Sequence, residues 1–414
     1  MKKFWMGVLL AIWIAGAAPA LAAGLEEIDG AYQIGSAADF RMFADLVNQG
    51  AYTANAVLTA DIDLADQAWT PIGSNYTDSY QGVFDGQGFS VRGLSVSGKT
   101  NQGLFGYVTT GTVKNLCVYG RIEASGNYAG GIAAVLNGGL IENCANYAEI
   151  TGQGSTGCVG GIVGEHVKGT VRRCCNLGQI IGTGCTAGIS GRVKPSAGAA
   201  QISSCYNGGT ILGSISNVGG IAGYVKGAQT SLENCYNYGA VQNTAGTFTG
   251  GVIGNFYSGA CENCFYLEGT WDFGLGAYEP EDQTDGSTAR MSAADMQSAE
   301  FAAQLGGEFV PDAEKQNGGF PLLAWQCESG NAVEISYEQG TIRVKAPQGM
   351  EAAVYAAVVR GNTVVDVYKA QLAGTETEIA DTVLQLERAD TLQIFVWHAD
   401  MKPACPAARF RLTE

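Results

Sequence analysis

The chain has 414 residues, 60 of them glycine, with 46% hydrophobic residues, 15% charged residues and a formal charge of −16. The hydrophobic content excludes a disordered chain, nine prolines without a regular glycine triplet exclude collagen, and the scarcity of Lys, Glu and Arg excludes long surface helices or coiled coil. The charge goes from −16 to −18 when Lys2 and Lys3 leave with the leader described next, and a chain this acidic repels a phosphate backbone, so no nucleic acid partner is expected.

Lys2 and Lys3 precede an apolar run over residues 4–18, and Ala20-Leu21-Ala22 places small residues where a signal peptidase reads. Residues 1–22 therefore read as a secretory signal peptide. The run is shorter than the roughly 20 residues that span a bilayer. The cleavage region holds no cysteine to take a lipid, and residues 409–414 carry neither a sorting motif nor a basic tail. No transmembrane anchor is expected, and the product is secreted, extracellular or loosely associated with the cell surface.

Residues 23–80 read as an N-terminal cap. Phe40, Phe43, Ala44, Leu46 and Val47 recur at helical spacing, and Ser36 with Asp39 forms a capping-box pattern. A strand over residues 56–64 and the turn Trp69-Thr70-Pro71-Ile72-Gly73 follow.

Helical periodicity then disappears over residues 81–270, where two signatures repeat in phase. The first is Gly103-Leu104-Phe105-Gly106, Gly131-Ile132-Ala133, Gly161-Ile162-Val163-Gly164, Gly188-Ile189-Ser190-Gly191, Gly220-Ile221-Ala222-Gly223 and Gly251-Val252-Ile253-Gly254, at steps of 28, 30, 27, 32 and 31. The second is Asn143-Cys144-Ala145-Asn146, Arg173-Cys174-Cys175-Asn176, Ser204-Cys205-Tyr206-Asn207, Asn234-Cys235-Tyr236-Asn237 and Asn263-Cys264-Phe265-Tyr266. With one further strand-sized piece per unit, each repeat reads as one coil of a parallel β-solenoid. A lone coil cannot bury its apolar side, whereas stacked coils bury a continuous core.

Alternation places Cys144, Cys174, Cys205, Cys235 and Cys264 inside as a ladder of small buried thiols. Ala145, Cys175, Tyr206, Tyr236 and Phe265 then face outward. Tyr206, Tyr236 and Phe265 form an exposed aromatic stripe able to stack sugar faces or receive a protein, or else a cross-strand stack partly covered by a loop. Asn146, Asn176, Asn207 and Asn237 fall at a corner, in left-handed backbone, each able to bond its neighbour in the stack; Tyr266 breaks that series.

These residues resemble the bacterial proteins that carry the GLUG motif, found in secreted surface proteins and in segments of some adhesins and immunoglobulin A peptidases. The resemblance covers about residues 30–326, from Asp61-Ile62-Asp63-Leu64 and Phe84-Asp85-Gly86-Gln87-Gly88 through the repeats to Asn317-Gly318-Gly319-Phe320-Pro321-Leu322-Leu323-Ala324-Trp325-Gln326. Departures are Ala187 in place of a glycine, and Arg173 and Ser204 in place of the asparagine before the cysteine. The resemblance implies an all-β, right-handed parallel β-helix of about six coils used in extracellular binding or display. No HExxH zinc motif is present, so the peptidase activity of some members is not carried over.

The rival reading is a polysaccharide lyase or hydrolase, which needs facing carboxyls or clustered carboxylates with a base. No aspartate occurs between Gly86 and Trp271, and Glu142, Glu233 and Glu262 share one slot two residues before the cysteine, with Glu233 and Glu262 immediate neighbours. His166 lies in a variable turn and His398 beside Trp397, so no triad is drawn; the catalytic set is empty, and neither metal nor cofactor is expected. The acidic loop at residues 279–286 lacks EF-hand spacing, and vertically stacked thiols are a poor tetrahedral zinc site.

Residues 271–330 read as a C-terminal cap and linker with a helix over residues 292–305, closing the solenoid's open end. Residues 331–414 read as an immunoglobulin-like β-sandwich of seven strands at 333–337, 341–345, 352–359, 363–370, 376–384, 392–397 and 407–412, with a Gly361-Asn362 turn. Cys327 and Cys405 flank it, and a disulfide between them is weighed against two free thiols. Taken together, the sequence points to a noncatalytic surface protein presenting an elongated face to glycan, cell wall or a host surface protein; the alternatives are a carbohydrate-active enzyme and a spacer.

Overall fold

The computed structural model describes residues 24–411, apart from 155–156, 216, 245–247, 278–283, 329–333, 339–340, 346–351, 361–362, 372–375, 381–390 and 399–407. Residues 1–22, expected to be a signal peptide, the expected Gly361-Asn362 turn, Cys405 and most of the acidic loop lie outside the described residues.

The chain is all-β, dominated by a parallel β-solenoid of about seven turns. The sequence suggests about six because its repeat begins late; the stack begins earlier. Ala31–Ile34 pairs in parallel with Asn55–Leu58, Asn55–Leu58 with Val83–Asp85, and Val83–Asp85 with the long strand Thr112–Ala124, so the first rungs carry no glycine signature. The helix Ala37–Asn48 forms where the apolar spacing predicts. The Ser36 hydroxyl accepts from the Asp39 amide at 3.2 Å and donates to its carboxylate at 2.7 Å. Its Phe40 packs against Trp69 and Phe84, and its Phe43 against Tyr80, burying the apolar face of the first coils.

Along the stack, equivalent residues pair in register from coil to coil. Leu140–Glu142 aligns with Thr170–Arg172, Ala145 and Asn146 with Cys175 and Asn176, and these with Tyr206 and Asn207 and then Tyr236 and Asn237. The apolar interior runs from Ile34 and Phe40 through Leu116, Ile141 and Ile150 to Val252 and Leu275. A strand from the segment after the repeats, Thr288–Met291, adds in parallel to Cys264–Leu267. In place of one helix over residues 292–305, two short helices, Ala293–Met296 and Ala299–Gln304, form because Ser292 and Ser298 each cap a new start.

The C-terminal strands fall at Glu334–Glu338, Thr341–Lys345, Ala352–Arg360, Thr363–Gln371, Glu376–Ala380, Thr391–His398 and Ala408–Arg411. They form one three-stranded and one four-stranded antiparallel sheet. Val354, Ala356, Val358, Leu392 and Ile394 are fully buried, and Ala353 and Ala357 are buried beside them. No helix among the described residues is long and apolar enough to cross a membrane.

A candidate binding crease at the glycine corner

Each glycine signature is a place where the chain dips into the core. Leu104, Ile132, Ile162, Ile189, Ile221 and Val252 stand fully buried at the apex of successive dips. The strands on either side close so tightly that a Cβ on Gly164 would lie 2.7 Å from the Ala129 carbonyl oxygen, and one on Gly191 2.6 Å from the Val159 amide nitrogen. A side chain at Gly164 or Gly191 would force these strands apart, although the preceding coil carries Ala134 at the equivalent position. Before the dip lies a five-stranded parallel sheet, with Tyr128–Gly130, Cys158–Gly160 and Cys185–Ala187 in register. After the dip, Tyr107, Val135, Glu165, Arg192, Tyr224 and Asn255 form one column across neighbouring coils.

Side chains from the two sides of the dip touch, so the dip is an outward-facing crease. The Arg192 guanidinium donates to Glu165 at 2.5 Å and to the Tyr128 hydroxyl at 3.0 Å, and lies 5.6 Å from the Tyr128 ring centre. Asn255 donates to Asn217 at 3.1 Å, and Asn217 donates to the Cys185 sulfur at 3.4 Å. At the N-terminal end, the exposed Tyr76 packs edge-on to Tyr107 with ring centres 5.9 Å apart, and Asn137 reaches the Tyr107 hydroxyl at 3.4 Å. Burial raises the Glu165 carboxyl above its ordinary range, opposed by the Arg192 bond; burial likewise raises the Tyr107 and Tyr128 hydroxyls. The crease thus combines half-buried phenol faces, a fixed carboxylate–guanidinium pair and side-chain amides.

The residues singled out in the sequence lie elsewhere. Tyr206, Tyr236 and Phe265 do stack on neighbouring coils, with Tyr206 and Tyr236 ring centres 5.1 Å apart, but the expected exposed stripe is corrected: they are 0%, 0% and 5% exposed. Met296, Phe301, Leu305, Phe309, Phe320 and Leu323 of the following segment cover them in a second apolar cluster. Tyr206 donates to Gln326 at 3.0 Å, Tyr236 to the Pro321 carbonyl, and the Trp325 indole to the Arg173 carbonyl at 2.8 Å. Local alternation shows which side faces out, but not that a segment some 80 residues downstream returns to it. That segment therefore seals a flank of the stack rather than only its open end.

Cys144, Cys174, Cys205, Cys235 and Cys264 are free thiols and 0–1% exposed. Burial holds Cys144 and Cys205 well above the ordinary thiol range. Asn146, Asn176, Asn207 and Asn237 are fully buried and bond in series, Nδ2 to the next Oδ1, at 2.7, 2.8 and 2.7 Å. Their expected left-handed backbone is corrected. That conformation belongs to the residue before each cysteine, namely Asn143, Arg173, Ser204, Asn234 and Asn263, with φ of 49–53°. The two signatures meet: a Cβ on Gly131, Gly161, Gly188 or Gly220 would lie 2.3–2.4 Å from the nearest side-chain atom of Asn146, Asn176, Asn207 or Asn237, and one on Gly251 2.3 Å from the Tyr266 ring. Tyr266 continues the position by anchoring its hydroxyl on Asp285 at 2.6 Å.

Glu233 and Glu262 are register neighbours and exposed, while Glu142 is held by Arg172 and Arg173, each at 2.7 Å. His166 is not in a turn but in the strand Val163–Arg172, fully buried between Leu136 and Val193, with Nε2 3.0 Å from the Gly169 carbonyl and Nδ1 without a hydrogen-bond partner. Among the described residues no cluster of three or more His, Cys, Asp or Glu could hold a metal. The Cys327–Cys405 pairing lies outside the described residues.

Neither a family model nor a curated protein matches the chain. Among solved structures, it is similar to the crystal structure of a putative immunoglobulin A1 protease from Bacteroides ovatus, with a TM-score of 0.50 and 20% identity over 71% of this chain and 92% of that one. At that identity the likeness defines a class of fold, the β-solenoid, and no activity.

Proposed function

We propose that the chain is a secreted, noncatalytic surface protein of the GLUG-repeat kind that binds glycan through the crease. The observation that carries this reading is that Tyr107, with Tyr76 packed against it, shares one column with the Glu165–Arg192 pair, and that Tyr128 bonds Arg192 from the other side of the crease. Phenol faces stack on the apolar face of a pyranose ring, while a fixed carboxylate, guanidinium and amides bond its hydroxyls. Cell wall and host surface proteins remain partners through the glycan they carry. Proteolysis is the rival, because the solenoid neighbour is described as a putative immunoglobulin A1 protease.

A glycan array probed with the chain, beside assays for reducing-sugar release and for cleavage of immunoglobulin A1, tests the reading. Binding without turnover, weakened tenfold or more by Tyr107→Ala or Tyr128→Ala, is the expected result. Turnover of either substrate, or glycan binding indifferent to both substitutions, overturns it.

A further inference from the structure

The chain has twelve cysteines, and among the ten whose side chains are described Cys158 and Cys185 belong to neither apolar cluster. Cys158 and Cys185 sit one above the other on adjacent parallel strands, in register, outside the dip that carries Ile162 and Ile189 into the core. Both are free; Cys158 is buried and Cys185 is half-buried at the crease. Strands about 4.8 Å apart place paired Cα atoms inside the roughly 4.4–6.8 Å range a disulfide spans.

The surroundings of the two sulfurs differ. A thiolate on Cys185 is favoured first by the neighbouring Cys158 thiol, then by the Asn217 amide, which donates to the sulfur at 3.4 Å, and by the Arg192 guanidinium, against burial and the Glu165 carboxylate. Cys158 lies beside the carboxylate of Glu165, itself held by Arg192 at 2.5 Å. The ladder cysteines have the same coil-to-coil spacing but are enclosed among core side chains such as Ile141 and Val171, where an oxidant has no approach.

We propose that Cys158 and Cys185 form a redox-active dithiol that is oxidised by small-molecule disulfides, with Cys185 as the attacking sulfur and Cys158 as the resolving one. The Cys185 thiolate attacks a disulfide RSSR, forming a Cys185–SR bond and expelling one thiolate, which takes up the proton that Cys185 gave to solvent. Cys158 passes its proton to Glu165 and attacks the Cys185 sulfur. The second RS⁻ leaves and is protonated by Glu165. The balance is two protein thiols and RSSR converted to one protein disulfide and two RSH. The assignment is independent of the glycan reading, since it needs only the sulfurs and their neighbours.

The reduced full chain, titrated with oxidised glutathione, quenched by alkylation and mapped without reduction by tandem mass spectrometry, tests this. The expected product is a Cys158–Cys185 crosslink, with the ladder cysteines alkylated only after denaturation. In Cys158→Ser, resolution is impossible, so the glutathione adduct on Cys185 should rise at least tenfold over the wild type. Both thiols remaining free at every ratio, a stable adduct on wild-type Cys185, or crosslinks between ladder members overturns the proposal. Should Cys158→Ser lose the circular dichroism of the fold, the wild-type map decides alone.

Discussion

A single asparagine in the ladder does more than fill a corner. Asn207 accepts from Asn176 at 2.8 Å and donates to Asn237 at 2.7 Å and to the Gly209 carbonyl at 2.9 Å, and its side chain is fully buried. Truncation orphans buried groups at about 1–3 kcal/mol each, so Asn207→Ala should lower stability by about 3 kcal/mol or more, read as a lower urea midpoint. Cys205 differs. Its sulfur lies 3.2 Å from the Ser203 carbonyl, so a hydroxyl placed there has an acceptor that sequence alone does not reveal. Cys205→Ser should therefore cost only about 1–2 kcal/mol in the same titration, and a loss as large as that of Asn207→Ala would contradict this account. Alternation and phase made the inward cysteine and the stacking asparagine legible. They could not give the left-handed position, because Asn143, Arg173 and Ser204 share a backbone conformation but no side-chain type.

At the scale of the repeated element, glycine is required by close approach rather than by flexibility. A Cβ on Gly161 would lie 2.1 Å from the Gly188 carbonyl and 2.4 Å from the Asn176 amide oxygen, and neither can retreat without breaking the ladder. Gly161→Ala should cost several kcal/mol, whereas Gly307→Ala, where nothing lies within 4 Å, should be near neutral; equal thermal midpoints for the two would refute the argument. The returning segment makes a separate prediction. Tyr236 packs its ring against Tyr206, Phe301 and Phe309 at 5.1–5.6 Å, so Tyr236→Ala should remove about 3–5 kcal/mol. Limited proteolysis should then cut first within residues 292–326. The crease was partly legible too: aligning the glycine pairs stacks Tyr128, Cys158 and Cys185. Contact between that column and Glu165 or Arg192 was hidden, since it depends on how sharply the chain dips at Ile162 and Ile189.

The solenoid that dominates the molecule is a stack in which each coil packs on its neighbours, so one ill-solvated group in its interior bears on the coils above and below it. His166 occupies the buried column Val108, Leu136, His166, Val193 and Val225, where every neighbour is aliphatic. Burial lowers its pKa to about 4, opposed by the bond to the Gly169 carbonyl, against about 6.5 for an exposed histidine. The folded state thus holds the ring neutral while the unfolded chain takes up a proton below about pH 6.5. Stability from this group is complete above pH 6.5 and declines as pH falls through the window to 4, by about 3 kcal/mol in all. His166→Leu matches the column's aliphatic character and removes the titration, so its urea midpoint should fall less steeply between pH 6.5 and 4 than the wild type's. Glu165, next in sequence, has the opposite sign, because its raised pKa makes the folded state bind a proton more readily than the unfolded chain does. Its contribution is present at low pH and is lost as pH rises through its folded value, so it partly offsets the histidine slope. For that reason the two variants His166→Leu and Glu165→Gln must be titrated side by side: a slope unchanged in His166→Leu but altered in Glu165→Gln would move the acid sensitivity from the core to the crease.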